Sequence, residues 1–105
     1  MPYEYDDPYS FLAWYIISIS TKMEIVRTLK DSDYLYRMLL KEVRNQDLRG
    51  PFVDCIVDDI LRNKERMQLM HELDKLSEFL FTKLDLVRLR AKIIQLCRDY
   101  DILDL

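Results

Sequence analysis

His71 is the single histidine of this 105-residue chain, and Cys55 and Cys97 are its two cysteines. A thiol and an imidazole within hydrogen-bond reach would make a nucleophile–base pair. The sequence around the histidine, Met70-His71-Glu72-Leu73-Asp74, lacks the second histidine of a helical zinc motif, and neither cysteine stands at ligand spacing from it. Each cysteine lies in an apolar helical stretch, Phe52 to Val57 and Ile93 to Cys97. Two reduced core thiols are therefore the expectation, with no metal and no cofactor. Carboxylates are paired at Asp6-Asp7, at Asp58-Asp59 and at Asp99 with Asp101. Those positions read as a helix start, a solvent face and a tail, where carboxylates cap and solvate.

Glycine decides more about chemistry than any of these groups. Gly50 is the only one in the chain. Phosphate cradles and nucleophile elbows need glycine, so neither is available. The reading is of a protein that is not an enzyme.

Binding is the remaining kind of chemistry, and the aromatic residues carry it. Tyr3, Tyr5, Tyr9, Phe11, Trp14 and Tyr15 crowd into the first fifteen positions, with Tyr34 and Tyr36 further on. Tyrosine joins apolar area to a polar handle and is enriched at interfaces. Trp14 is assigned to the core, whereas Tyr3, Tyr5, Tyr9 and Tyr15 are candidate partner contacts. Two basic groups, Arg62, Lys64, Arg66 and Arg88, Arg90, Lys92, each span about one helical turn. Acidic neighbours dilute both groups, and charged helix faces are ordinarily solvated. The second group is kept as a candidate contact for an acidic protein. The net charge of −3 argues against nucleic acid as the principal partner.

The elements that must hold these residues read as helices throughout. Half of the residues are hydrophobic and a third are charged, a globular balance sufficient for one core. Residues 1–6 form an acidic tail, and 7–105 one helical bundle domain. Asp7-Pro8 starts the first helix, which runs to Ile19 and is apolar nearly all round. Such a helix is central, or is covered by a partner. Thr21 to Glu24 fits a capping box for a second helix over 22–30, with an apolar stripe of Met23, Val26 and Leu29 and Ile25 beside it. The third helix covers 33–46. Residues 45–51, ending in Gly50-Pro51, are the expected main loop, and Pro51 opens a fourth helix with Phe52, Val53, Ile56, Val57, Ile60 and Leu61 inward. A fifth helix is expected over 65–81, and Asn63-Lys64-Glu65 reads either as a break before it or as a polar turn inside a longer helix. The last covers 85–100, with Leu86, Leu89, Ile93, Leu96 and Tyr100 inward and a second apolar line through Val87, Ala91 and Ile94. The expected architecture is an all-α compact bundle of five to six helices.

Residues 34–74 resemble the second half of a death effector domain. The resemblance lies in Leu35-Tyr36-Arg37-Met38-Leu39-Leu40, the polar segment Gln46-Asp47-Leu48-Arg49-Gly50-Pro51, and Ile56-Val57-Asp58-Asp59-Ile60-Leu61-Arg62. It implies a death-fold bundle and homotypic helical assembly in apoptosis or innate immune signalling. The chain departs from that family at Arg62-Asn63-Lys64-Glu65, where the family carries Arg-x-Asp-Leu. It also leaves no room for a separate third helix before residue 33, and residues 75–105 run past the expected end.

The functional expectation is thus a protein–protein interaction module, an adaptor or scaffold domain with a homodimer as one form. A nucleic-acid-associated regulator is the alternative from another class. No basic leader precedes the acidic start, and the apolar run Phe11 to Ile17 is too short to span a bilayer. An intracellular location follows as the expectation, with cytoplasm favoured and no membrane contact.

Overall fold

The computed structural model describes residues 8–56, 62–72 and 84–103. Six helices and no strand occur among them, as the all-α reading expects: α1 Pro8–Ile19, α2 Lys22–Lys30, α3 Ser32–Glu42, α4 Gln46–Ile56, α5 Arg62–His71 and α6 Leu86–Asp99. The radius of gyration is 13.5 Å, close to the roughly 13 Å of a compact hundred-residue domain. None of the described helices is long and apolar enough to cross a membrane.

The apolar α1 is the hub. Leu12, Ala13, Trp14, Ile16 and Ile17 are buried, and α1 packs against both α4 and α6. Surrounding layers bury Ile25 from α2, Leu35, Tyr36 and Leu39 from α3, Leu48, Phe52 and Val53 from α4, and Leu69 from α5. α6 contributes Leu89, Ile93 and Cys97, spaced four residues apart along one face. Each such aliphatic side chain, fully buried, contributes about 1.5–3 kcal/mol.

Helix ends follow local chemistry closely at three points. Thr21 accepts from the Glu24 amide at 3.2 Å while Glu24 accepts from the Thr21 amide at 3.0 Å, completing the capping box. Asp31 alone separates α2 from α3 and caps both. Its amide donates to the Arg27 carbonyl, and its carboxylate accepts from the amides of Asp33 and Tyr34. α6 ends in a Schellman motif: the Ile102 amide donates to the Cys97 carbonyl at 2.9 Å and the Asp101 amide to the Arg98 carbonyl at 3.3 Å. Asp101 takes φ 52°, the left-handed position at which glycine is usual. The turn sends Ile102 and Leu103 back against the core, so this part of the apolar tail packs on the bundle.

Several expected boundaries and faces differ. α3 ends at Glu42, and the chain turns at Val43, Arg44 and Asn45 rather than at Gly50-Pro51. Residues 46–50 are already helical, and Pro51 lies inside α4. Of the two readings of Asn63 to Glu65, the structure takes the second: these residues belong to α5. On α2 Ile25 and Thr28 are buried and Leu29 packs against the core as expected, while Met23 is 83% exposed. Val87 and Ala91 on α6 face outward, and Tyr100 is partly exposed with its ring edge-on to Trp14 at 5.0 Å. The expected cap at Asp7, the positions Val57 to Leu61 and the inward leucines at 73, 76 and 80 lie outside the described residues.

Candidate protein-docking groove

α2 and α3 form a hairpin because a single residue, Asp31, joins them. Close joining brings residues ten apart in sequence face to face: the Tyr34 hydroxyl donates to a Glu24 carboxylate oxygen at 3.3 Å. Glu24 already completes the capping box, so this carboxylate serves the helix start and the hairpin together. The guanidinium of Arg27 lies 4.3 Å from the centroid of the Tyr34 ring, a cation–π contact that holds the hairpin's inner wall.

Beside this hairpin lies a groove of about 400 Å³. Its floor is apolar, from Ile19 at the end of α1 and Met38 on α3. Ile19 is 42% exposed, an unusual state for an aliphatic residue on the hub helix. The sulfur of Met38 is 3.7 Å from the Ser20 hydroxyl, which donates to it. The rim carries Arg27, Arg37 and Lys41, all exposed cations. Arg37 and Lys41 stand one turn apart on α3, and the Arg37 Nε donates back to the Asp33 carbonyl at 3.4 Å.

Two carboxylates line the same groove, and a tyrosine holds each. Glu24 is bonded as described. At the other end the Tyr15 hydroxyl donates to Glu42 at 3.1 Å and accepts from the Asn45 amide group at 2.9 Å. The Thr21 backbone amide, then the Thr21 hydroxyl, hold the Glu24 carboxyl below its ordinary pKa, with smaller help from Tyr34 and Lys41 against the opposing effect of desolvation. A depressed carboxyl contributes stability that is present above its unfolded pKa and lost as pH falls through the folded value. Glu24→Gln keeps the shape of the cap but removes the charge. It is expected to lower the melting temperature at neutral pH, and the gap from the parent chain should close at acid pH, as thermal unfolding by circular dichroism can check.

The residues singled out from sequence are scattered by the fold. Tyr3 and Tyr5 lie outside the described residues. Tyr9 is only 5% exposed, and its hydroxyl works inside: it donates to the Cys55 carbonyl at 3.5 Å and accepts from the Asp85 amide at 3.1 Å. Burial, first among the causes, pushes its phenol pKa up. Tyr15 is half-buried, stacks on Phe11 with ring centroids 6.4 Å apart, and reaches the groove through Glu42. Arg88 covers the Tyr9 ring at 4.3 Å, and Arg90 donates to the Ser32 hydroxyl at 3.0 Å. Lys92 is half-buried on the same helix. The side chains of Arg62, Lys64 and Arg66 are outside the described set.

Sequence reasoning missed the groove itself. Arg37 entered only within the death-effector-domain resemblance, Lys41 was not singled out, and Ile19 belonged to a helix read as central or covered by a partner. The available signal was the spacing of those two cations beside Met38, together with Asp31 as a double cap.

Elsewhere, His71 is exposed at the end of α5, Cys55 is half-buried and Cys97 is buried. Burial pushes the Cys97 thiol pKa up, which disfavours the thiolate a nucleophile needs. No cluster of three or more metal-ligating side chains occurs among the described residues. The class that the fold defines is an all-α helical bundle. No family model, curated protein or solved structure matches the chain.

Proposed function

We propose that this chain is a non-enzymatic protein–protein interaction module, an adaptor or scaffold domain that receives its partner at the groove beside α2 and α3. The observation that carries the reading is a groove in which apolar Ile19 and Met38 lie together with the cations Arg27, Arg37 and Lys41 and the carboxylates Glu24 and Glu42. Exposed Met23, at the start of α2, adds apolar surface on the helix that forms one wall. Apolar anchoring ringed by charge is the usual build of a peptide-receiving surface. An intracellular, cytoplasmic setting suits Cys55 and Cys97, which are not joined in disulfides.

Site-specific photocrosslinking tests this reading. Met38 is replaced by a photoreactive benzoylphenylalanine, and Arg98, exposed on α6, is replaced in the same way as the control. A discrete protein adduct formed from position 38 and not from position 98 is expected. Adducts at neither position, or equal adducts at both, would remove the groove from consideration. Homotypic assembly of the death-fold kind remains the second reading, supported by the resemblance over residues 34–74. It requires concentration-dependent growth in mass by light scattering.

A further inference from the structure

We infer that the groove's occupant is an acidic amphipathic helix of a partner protein, with two carboxylates one turn apart and a bulky apolar side chain between them. This rests on the interaction-module reading above and adds the chemistry of the partner. Three features of the groove select that occupant.

The first is charge. Three cations, Arg27, Arg37 and Lys41, and two carboxylates, Glu24 and Glu42, line the groove. Both carboxylates are engaged as acceptors of tyrosine hydroxyls, Glu24 from Tyr34 and Glu42 from Tyr15. Arg37 uses its Nε on its own helix, and Arg37 and Lys41 are both exposed. In a chain of net charge −3 the groove's lining, three cations against two carboxylates, carries an excess of one positive charge. Complementary charge steers an acidic partner to it and rejects a basic one.

The second is spacing. Arg37 and Lys41 lie at i and i+4 on one helix, with Cβ atoms about 5–6 Å apart. A partner helix laid alongside α3 with glutamates at the same interval meets both at once. An extended strand presents same-face residues about 7 Å apart and fits this interval less well.

The third is the floor. Met38 is unbranched and polarisable, and adapts to irregular apolar anchors. Ile19 beside it gives a fixed aliphatic wall. A leucine or phenylalanine set between the two acids of the partner helix falls onto this pair while the acids reach the rim.

Fluorescence anisotropy with a synthetic probe tests the inference. The probe is a fluorescein-labelled amphipathic helical peptide whose contact face carries glutamates one turn apart around a leucine. Saturable binding to the full chain is expected, weakening as salt is raised. The double variant Arg37→Glu with Lys41→Glu should weaken binding at least roughly tenfold, since like charges across an interface repel. Both residues are exposed, and circular dichroism verifies that the variant folds. A companion peptide with glutamines in place of the glutamates should bind about tenfold more weakly to the parent chain. Equal binding of the two peptides, or binding indifferent to the charge reversal, overturns the inference. A discrete adduct from position 38 with no binding of the acidic probe leaves the interaction module standing and removes only its acidic partner. If light scattering shows a dimer that the double variant abolishes, the occupant is a second copy of this chain, and the inference fails. It fails likewise if a chain starting at Pro8 binds the probe much more tightly than the full chain, because residues 1–7 are then the occupant.

Discussion

Replacing Arg49 with methionine is expected to lower the free energy of unfolding by about 3 kcal/mol, measured by equilibrium urea denaturation. Arg49 is only 9% exposed, yet it is a cation. Its Nε donates to the Val43 carbonyl at 3.2 Å, one terminal nitrogen to the Met70 carbonyl at 3.1 Å, and the other to the Arg44 carbonyl at 3.1 Å. Those carbonyls lie where α3 and α5 end and helical amides run out. The negative ends of both helix dipoles therefore face one guanidinium. Arg49 closes two helices from a third, and it fixes the turn at Val43 to Asn45 that sets α4 beside them. Methionine fills much of the same volume but donates nothing, so the buried carbonyls lose their partners together. Arg49→Lys retains a charge without the planar fork, and should fall between the parent chain and Arg49→Met. A methionine variant within about 0.5 kcal/mol of the parent, the ordinary range for a surface change, would show that water replaces the guanidinium at these carbonyls.

The same residue explains why the expected loop is a helix. Gly50-Pro51 is strong turn chemistry, and proline within a helix interior costs about 3 kcal/mol relative to alanine. The outcome is decided by what the segment buries. Leu48 and Phe52 stand four apart and are both fully buried, Val53 continues their face, and the guanidinium of Arg49 is satisfied only when residues 46–50 coil. Tertiary contact overrides local preference at this point. Gly50 takes no positive φ and is buried, so its use is close packing rather than a left-handed turn. Where the local signal and the packing agree, the boundaries were legible: Pro8 opens α1, the Thr21–Glu24 box opens α2, and α6 begins just after Asp85.

The candidate site was far less legible, for a geometric reason. Its wall, floor and rim come from three helices, and no single stretch of sequence contains the pattern. Tyr34 was visible as an interface-type aromatic, but its tie to Glu24 exists only because one residue joins α2 to α3. The aromatic cluster near the start drew attention to Tyr9 and Tyr15. In the fold Tyr9 links α1 to the end of α4 and the start of α6, and Tyr15 braces Glu42. Aromatic crowding marks both cores and interfaces, and only burial separates them.

Phe52→Ala is expected to be the most damaging single truncation, at about 4 kcal/mol in urea or thermal unfolding. Phe52 has no exposed surface and is the largest of the fully buried side chains among the described residues. It sits on α4, which packs against the hub α1 on one side and α5 on the other. Truncation removes the ring's transfer energy and leaves a cavity between layers that rigid helices close only in part. Met23 supplies the control from the same size class: at 83% exposure, Met23→Ala should stay within about 0.5 kcal/mol of the parent. The pair also separates the two roles proposed for apolar residues in this chain. Phe52→Ala should reduce probe binding only through the unfolded fraction, so that under conditions where the variant remains folded its affinity for the acidic peptide matches the parent's. A Phe52→Ala chain that keeps its stability would mean that residues 46–56 do not form the helix on which the packing of α1, α4 and α5 depends.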